Sequence, residues 1–278
     1  MRRLIINADD LGISKDVNKQ IEECIHIGCI TSSSLMANGP AFEDGIRIAK
    51  QYPQISVGVH LNIVEFTPLT NADIFRKHGV LDSEGAFIEG AFSVVPIDNE
   101  LRQAVFEEWD SQISKIESYG LSPSHCDSHQ HTHTIPDLQE PLCRVLDKHH
   151  ICNVRRKIVP SIRLMLHAKK HPSVKLDKSK AMQPKKRNIL YRRIHIFISK
   201  YISNRWNRKM SNLYHLTDRF YSFRDFHDAI NILSLGGRAS VIELMCHPGH
   251  KAFQTETEKL MNNTKWKEGY QLISYHEL

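Results

Sequence analysis

Strand-like runs in this chain end abruptly in Asp or His, with helical segments between them. Arg3–Asn7 leads into Asp9 and Asp10, and Ile55–Asn62 carries His60 near its end. Ser122–Ser128 opens a histidine-rich stretch, and Val241–Met245 runs into His247. Val17, Ile21, Cys24 and Ile25 share one helical face between Ser14, a cap, and Gly28, a stop. Helices are also expected at Phe42–Gln51, around Leu101–Ile116 (closed by Gly120), at Asp137–His149 and near Thr255–Asn263. Ile30–Met36 reads as a further strand, and a short one falls near Ile151–Val154. Strand–helix alternation of this kind predicts an α/β fold with a largely parallel sheet. In such sheets the C-terminal ends of the strands carry the chemistry, whether the sheet is closed or open.

The intervening segments are of two kinds. Residues 66–98 form a loop-rich excursion with Pro68, Gly79, Gly85, Gly90 and Pro96. Residues 156–215 show no strand pattern, although Tyr191–Tyr201 alternates basic and apolar residues and is expected to be helical. Charge is concentrated here: residues 155–210 hold eighteen Lys and Arg against one acid, Asp177. That local net of +17 sits in a chain whose net charge is +6, so the remainder is acidic at −11. A segment of this kind suits phosphates, acidic polysaccharide or a membrane surface, or simply forms a solvated face. Its apolar content also suits self-association, as a homodimer.

Hydrophobic residues make up 41% of the 278 and charged residues 24%, an ordinary balance for a globular protein with a sizeable core. No apolar run is long enough to span a bilayer. Only Leu4, Ile5 and Ile6 separate the basic N-terminus from Asn7, too few for a signal peptide, so the expected location is cytoplasmic. The six cysteines form no Cys-x-x-Cys pair and read as reduced thiols. Cys126 and Cys246 adjoin candidate site residues, where a small apolar filler is the expected role.

Four constellations carry chemistry. Asp9 and Asp10 are adjacent carboxylates at a strand end; one can hold a cation while the other accepts a proton. His60 follows an apolar strand. His125, Asp127, His129, His131 and His133 alternate along Pro123–His133, and an extended backbone would turn them to one side. Neutral imidazole is the commonest metal ligand, so this cluster is expected to bind a metal, with some members orienting ligands or touching substrate. His247 precedes Pro248-Gly249 and suits a general acid held in a rigid turn, or a capping residue.

Together these segments resemble the YdjC-like carbohydrate deacetylases, which include the chitooligosaccharide deacetylases. The resemblance rests on Asn7-Ala8-Asp9-Asp10-Leu11-Gly12-Ile13-Ser14, Thr31-Ser32-Ser33, Gly58-Val59-His60-Leu61, His125–His133 and Met245-Cys246-His247-Pro248. It implies an irregular (β/α) barrel-like single domain spanning residues 1–278, with the basic insertion at about 156–215. It implies removal of an N-acetyl group from an acetylated amino sugar or chitooligosaccharide. It also implies one divalent ion held by Asp10, His60 and His129, with Asp9 as general base and His247 as general acid. His125, Asp127, His131 and His133 then contact the ligands or the substrate; the four-residue spacing of His125 and His129 would let His125 be a ligand if the segment were helical. Magnesium or zinc is the implied ion, and a mixed carboxylate–imidazole shell suits zinc, cobalt or manganese better than magnesium. Other readings of the same residues are a phosphodiesterase-type metal hydrolase and a non-enzymatic polyanion-binding protein. No helix-turn-helix, zinc-finger or RNA-binding sheet motif supports nucleic acid as the partner.

Overall fold

The computed structural model describes all residues except 161–188, 231–232, 234, 238–239 and 263–264. Among the described residues seven strands form one parallel sheet: β1 (Arg2–Leu11), β2 (Ser32–Leu35), β3 (Ser56–Leu61), β4 (Cys126–Ser128), β5 (Arg219–Ser222), β6 (Val241–Cys246) and β7 (Tyr270–Leu272). Their order is β4-β3-β2-β1-β6-β5, with β7 beside the start of β1. The sheet curls into a half-barrel. Isolated parallel bridges continue the curl from Cys126 to Val154 and from Asn153 to His215, four residues before β5 begins. The short strand expected near Ile151–Val154 is reduced to these bridges.

Helices α1 (Lys15–His26), α2 (Phe42–Gln51), α3 (Asp73–Lys77), α4 (Asn99–Ser118), α5 (Gln139–Lys148), α6 (Ile189–Ser211), α7 (Phe223–Ala229) and α8 (Gln254–Asn262) lie between and after the strands. Local chemistry sets their starts. Ser14 Oγ accepts from the Val17 N–H, Asp98 from Leu101 and Ser222 from Asp225, each relieving an amide that a first turn leaves unpaired. The apolar faces expected from the sequence are buried: Val17, Ile21, Cys24 and Ile25 on α1, and Leu101, Val105, Ile113 and Ile116 on α4, where Trp109 is buried with them. They join Leu4, Ile6, Val59, Leu61, Ile242 and Leu244 of the sheet in one core.

The excursion after β3 is tied down by a buried acid. Glu108 of α4 accepts from the backbone N–H groups of Leu69 and Thr70 and from the Thr70 hydroxyl. Gln112, one turn on, pairs with both backbone groups of Asn62 at the end of β3. The basic segment contains α6, which extends the expected helix Tyr191–Tyr201 in both directions. The rest of that expectation, residues 161–188, lies outside the described residues.

Candidate metal centre and its carboxylate–arginine support

The centre begins with an irregularity in β1. Ala8 pairs with Ser33 and Leu11 with Leu35, so three steps on β1 face two on β2. The extra residue is a bulge, and Asp10 within it takes a left-handed backbone, φ 69°. Asp is among the few residues that accept this region at small cost. In a regular strand Asp9 and Asp10 would face opposite sides; the bulge lets both serve one site.

Asp10 Oδ1 lies 2.9 Å from His129 Nδ1 and 3.1 Å from His60 Nε2. The three donor atoms lie within 4.8 Å of one another. His60 Nε2 is buried and makes no hydrogen bond, because its approach to Asp10 lacks the alignment. The three donors thus form one cluster, in which His129 Nδ1 is hydrogen-bonded to Asp10 and His60 Nε2 is left unpaired. Burial works against an ionised Asp10, but the His129 and His60 contacts outweigh it and hold the carboxyl well below the usual range. In the metal-free protein the same contacts act on the rings. Burial opposes their protonation, yet Asp127 and Asp10 push His60 up to about 10, and Asp10 and Glu65 push His129 up to about 9.

Behind the triad is a fully packed polar layer. His60 Nδ1 donates to Asp127 Oδ1 at 2.7 Å, which leaves Nε2 as the free acceptor. Ser34 donates to Asp127 Oδ2 at 2.9 Å, and Asn7 donates to Ser34 and to Asp9. Arg155 closes the layer. Its guanidinium meets Asp9 through both carboxylate oxygens at 2.6 and 2.7 Å, Asp127 at 2.7 Å and Glu243 at 2.6 Å. All four side chains are buried. Asp9, His60 and Asp127 also approach one another closely enough to suggest a cation site, but the cation there is Arg155 itself. Burial raises Glu243, while in Asp127 the charges of Arg155 and His60 overcome burial and lower it.

The five alternating residues of the histidine-rich segment do not share one side. Only Cys126–Ser128 is strand; Gln130 and His131 then adopt left-handed backbones, φ 50° and 59°, and break the alternation. His129 reaches Asp10 and Asp127 reaches His60. His125 is not among the converging donors: it is buried and stacked on Tyr275, ring centroids 3.8 Å apart. Gly58 makes room for it, since a Cβ there would lie 2.5 Å from the His125 ring. His133 is also turned inward, with Nδ1 at Ser128 Oγ and Nε2 at the Arg155 carbonyl. His131 stands edge-on to Phe220 and lines a cleft with Ile63, Phe92, Thr134 and Lys157. Burial keeps all three rings neutral, pushing His125 and His133 down to about 3 and His131 to about 4.

His247 follows β6 and stacks on Phe253, centroids 4.4 Å apart. Glu256 accepts from the His247 backbone N–H at 2.8 Å and lies 3.6 Å from Nδ1. Burial disfavours a charged ring, but Glu256, Asp9 and Asp10 together raise its pKa.

Sequence reasoning did not single out Arg155, Ser34, Asn7, Glu65 or Glu243. Glu243 carried a signal: an acid inside the buried strand Val241–Cys246 requires a partner. Asn7 lies two residues before Asp9 on the same strand. Arg155 was submerged in the count of basic residues, and its role depends on a contact 146 residues away along the chain.

A half-barrel of parallel strands with a carboxylate and two imidazoles at its strand ends defines a class of α/β proteins with a rim site. The YdjC-like protein family matches residues 3–277, and the chain belongs to that family. Among its relatives, the carbohydrate deacetylase of Geobacillus stearothermophilus is 36% identical over 138 residues, 49% of this chain and 53% of that protein. The carbohydrate deacetylase of Clostridium beijerinckii is 33% identical over 153 residues, 54% of this chain and 58% of that one. These matches span little more than half the length of either relative. A longer match, 28% identical, covers 89% of this chain and 78% of the carbohydrate deacetylase of Vibrio parahaemolyticus. The fold is shared with a protein of Enterococcus faecalis V583 named for cellobiose-phosphate cleavage, with TM-score 0.69 and 19% identity over 99% of this chain and 98% of that one.

Proposed function

We propose that this chain is a metal-dependent hydrolase that removes the N-acetyl group from an acetylated amino sugar or chitooligosaccharide. The observation that carries the reading is the convergence of Asp10, His60 and His129 beside a second buried carboxylate, Asp9. Relatives named carbohydrate deacetylase agree with it.

The residues present fit a divalent ion. They offer one carboxylate and two imidazoles, with His60 held in the required tautomer by Asp127 and its Nε2 otherwise unpartnered. This donor set favours zinc, cobalt or manganese over magnesium. Bound there, such an ion would activate water and polarise the acetyl carbonyl.

The chain's own residues supply the proton traffic. Asp9 Oδ1 already accepts from Asn7 and Arg155, whereas Oδ2 accepts only from Arg155 and Asp9 keeps a lone pair there. That lone pair takes the proton of the attacking water. Arg155 fixes the carboxylate's plane, so no reorientation is needed as the reaction proceeds. His247, with its pKa raised, gives its proton to the departing sugar amine.

Acetate release tests the reading. Metal-stripped protein is incubated with N-acetylglucosamine and chitooligosaccharides, with and without zinc, cobalt, manganese or magnesium. Metal-dependent acetate is the expected result. Folded, metal-loaded protein that releases none, yet cleaves a phosphodiester, would overturn it.

A further inference from the structure

Helix α6 has two ends of different character. Toward its C-terminus Ser203, Trp206, Asn207 and Met210 are buried on one face. Trp206 packs edge-on to His133, and Asn207 bonds both backbone groups of Lys157. From Ile194 to Ile202 no described residue is buried. Ile194, Phe197, Ile198, Tyr201 and Ile202 recur at helical spacing on the side opposite the buried face. Phe197 is 73% exposed and Tyr201 61%. Arg205, Arg208 and Lys209 continue that same side, and Lys200 flanks it. The helix contains six Lys and Arg and no Asp or Glu.

We infer that this arm docks the protein on an anionic lipid surface. An exposed apolar stripe edged by cations alone matches a bilayer face. The rings and branched chains enter the acyl boundary while the guanidinium and ammonium groups stay among the headgroups. Charge argues against the same face on a second copy, because a two-fold contact would set Arg205, Arg208 and Lys209 against their own counterparts with no acid on the helix to pair them. It also separates lipid from nucleic acid: phosphates would engage the cations, but nothing in a duplex exterior rewards Phe197 and Ile198. Among the described residues no helix is long and apolar enough to cross a membrane, so the contact is a surface one. The opposite face of the arm's anchored end packs on His133 and Lys157, and Lys157 also lines the cleft.

The test is sedimentation of the full chain with phosphatidylglycerol-rich vesicles and with pure phosphatidylcholine vesicles. Three proteins are compared: the wild type, Phe197→Ser/Ile198→Ser, and Arg205→Glu/Arg208→Glu. Circular dichroism confirms that each is folded. Wild type should pellet with the anionic vesicles only, more weakly in high salt, and each double variant should lose about tenfold or more in affinity. Three results would overturn the inference. One is no binding to anionic vesicles. The second is undiminished binding by Phe197→Ser/Ile198→Ser, which would make the contact a general polyanion one. The third is a wild-type dimer that ignores vesicles and that the same substitution dissolves.

Discussion

Arg155 holds Asp9 by both carboxylate oxygens, at 2.6 and 2.7 Å, while its remaining contacts reach Asp127 and Glu243. One fully buried cation is therefore shared among three buried acids drawn from β1, β4 and β6. Replacing it with Gln removes that shared counter-charge and leaves Asp127 with His60 alone. Arg155→Gln should cost about 3–5 kcal/mol in stability. Urea denaturation measures this; a wild-type midpoint would contradict the arrangement.

The proposed reaction gives the neighbours Asp9 and Asp10 separable duties. Asp9→Asn should retain bound metal yet lose roughly 10²–10⁴-fold in turnover, the usual worth of a general base. His129→Ala should lose the metal itself. Metal content by elemental analysis alongside acetate release checks both. An active Asp9→Asn protein would remove Asp9 from the base role.

At the proposed metal site, protons and metal would compete for the same imidazoles. His60 and His129 sit near 10 and 9 without metal, so both must lose a proton to bind. Apparent affinity should rise with pH up to about 10, by as much as about tenfold per unit from His60 alone between 9 and 10 and by as much as about tenfold per histidine per unit below 9. Calorimetry in buffers of different ionisation enthalpy would detect the released protons, and binding without release would contradict the assignment.

Stability should fall as pH drops below about 6.5, the unfolded value for histidine. His125, His131 and His133 are depressed to about 3, 4 and 3, so the folded state refuses protons that the unfolded chain accepts. The stabilisation is complete above the unfolded value and is lost toward the folded ones, on the order of 1.4 kcal/mol per histidine per pH unit. His60, His129 and His247 are raised and act in the opposite window, losing their contribution only as pH climbs above 6.5. Urea midpoints between pH 7 and 5 check the slope; a flat profile would contradict it.

Gly58→Ala should destabilise by about 1–3 kcal/mol, because its Cβ would stand 2.5 Å from the ring and carbonyl of His125. Thermal unfolding measures the change, and combining it with His125→Ala should recover part of the loss.

Much of the fold was legible because its strands and helices carry their own periodicities. Val241–Met245 and the α4 stripe from Leu101 to Ile116 are local patterns that tertiary contacts merely complete. The convergence of Asp10, His60 and His129 was reachable only through the resemblance, since strand ends say where side chains begin and not where they meet. The orientations of His125 and His133 were illegible for a definite reason. Two consecutive left-handed residues, Gln130 and His131, leave no signature in the sequence, since neither is a glycine that would mark the turn. Arg155 was hidden because a cation's partners lie at any sequence distance.

The bulge at Asp10 couples chemistry to imperfection in the ladder. Deleting one residue between Ala8 and Leu11 would restore an unbroken register with β2 and relieve the left-handed backbone. The resulting sheet would be the better sheet and the worse protein, with its remaining carboxylate facing one way only. Selection for thermal robustness alone would therefore tend to erase this site, and natural variants that preserve the kink while the surrounding strands drift are the ones expected to have kept the reaction.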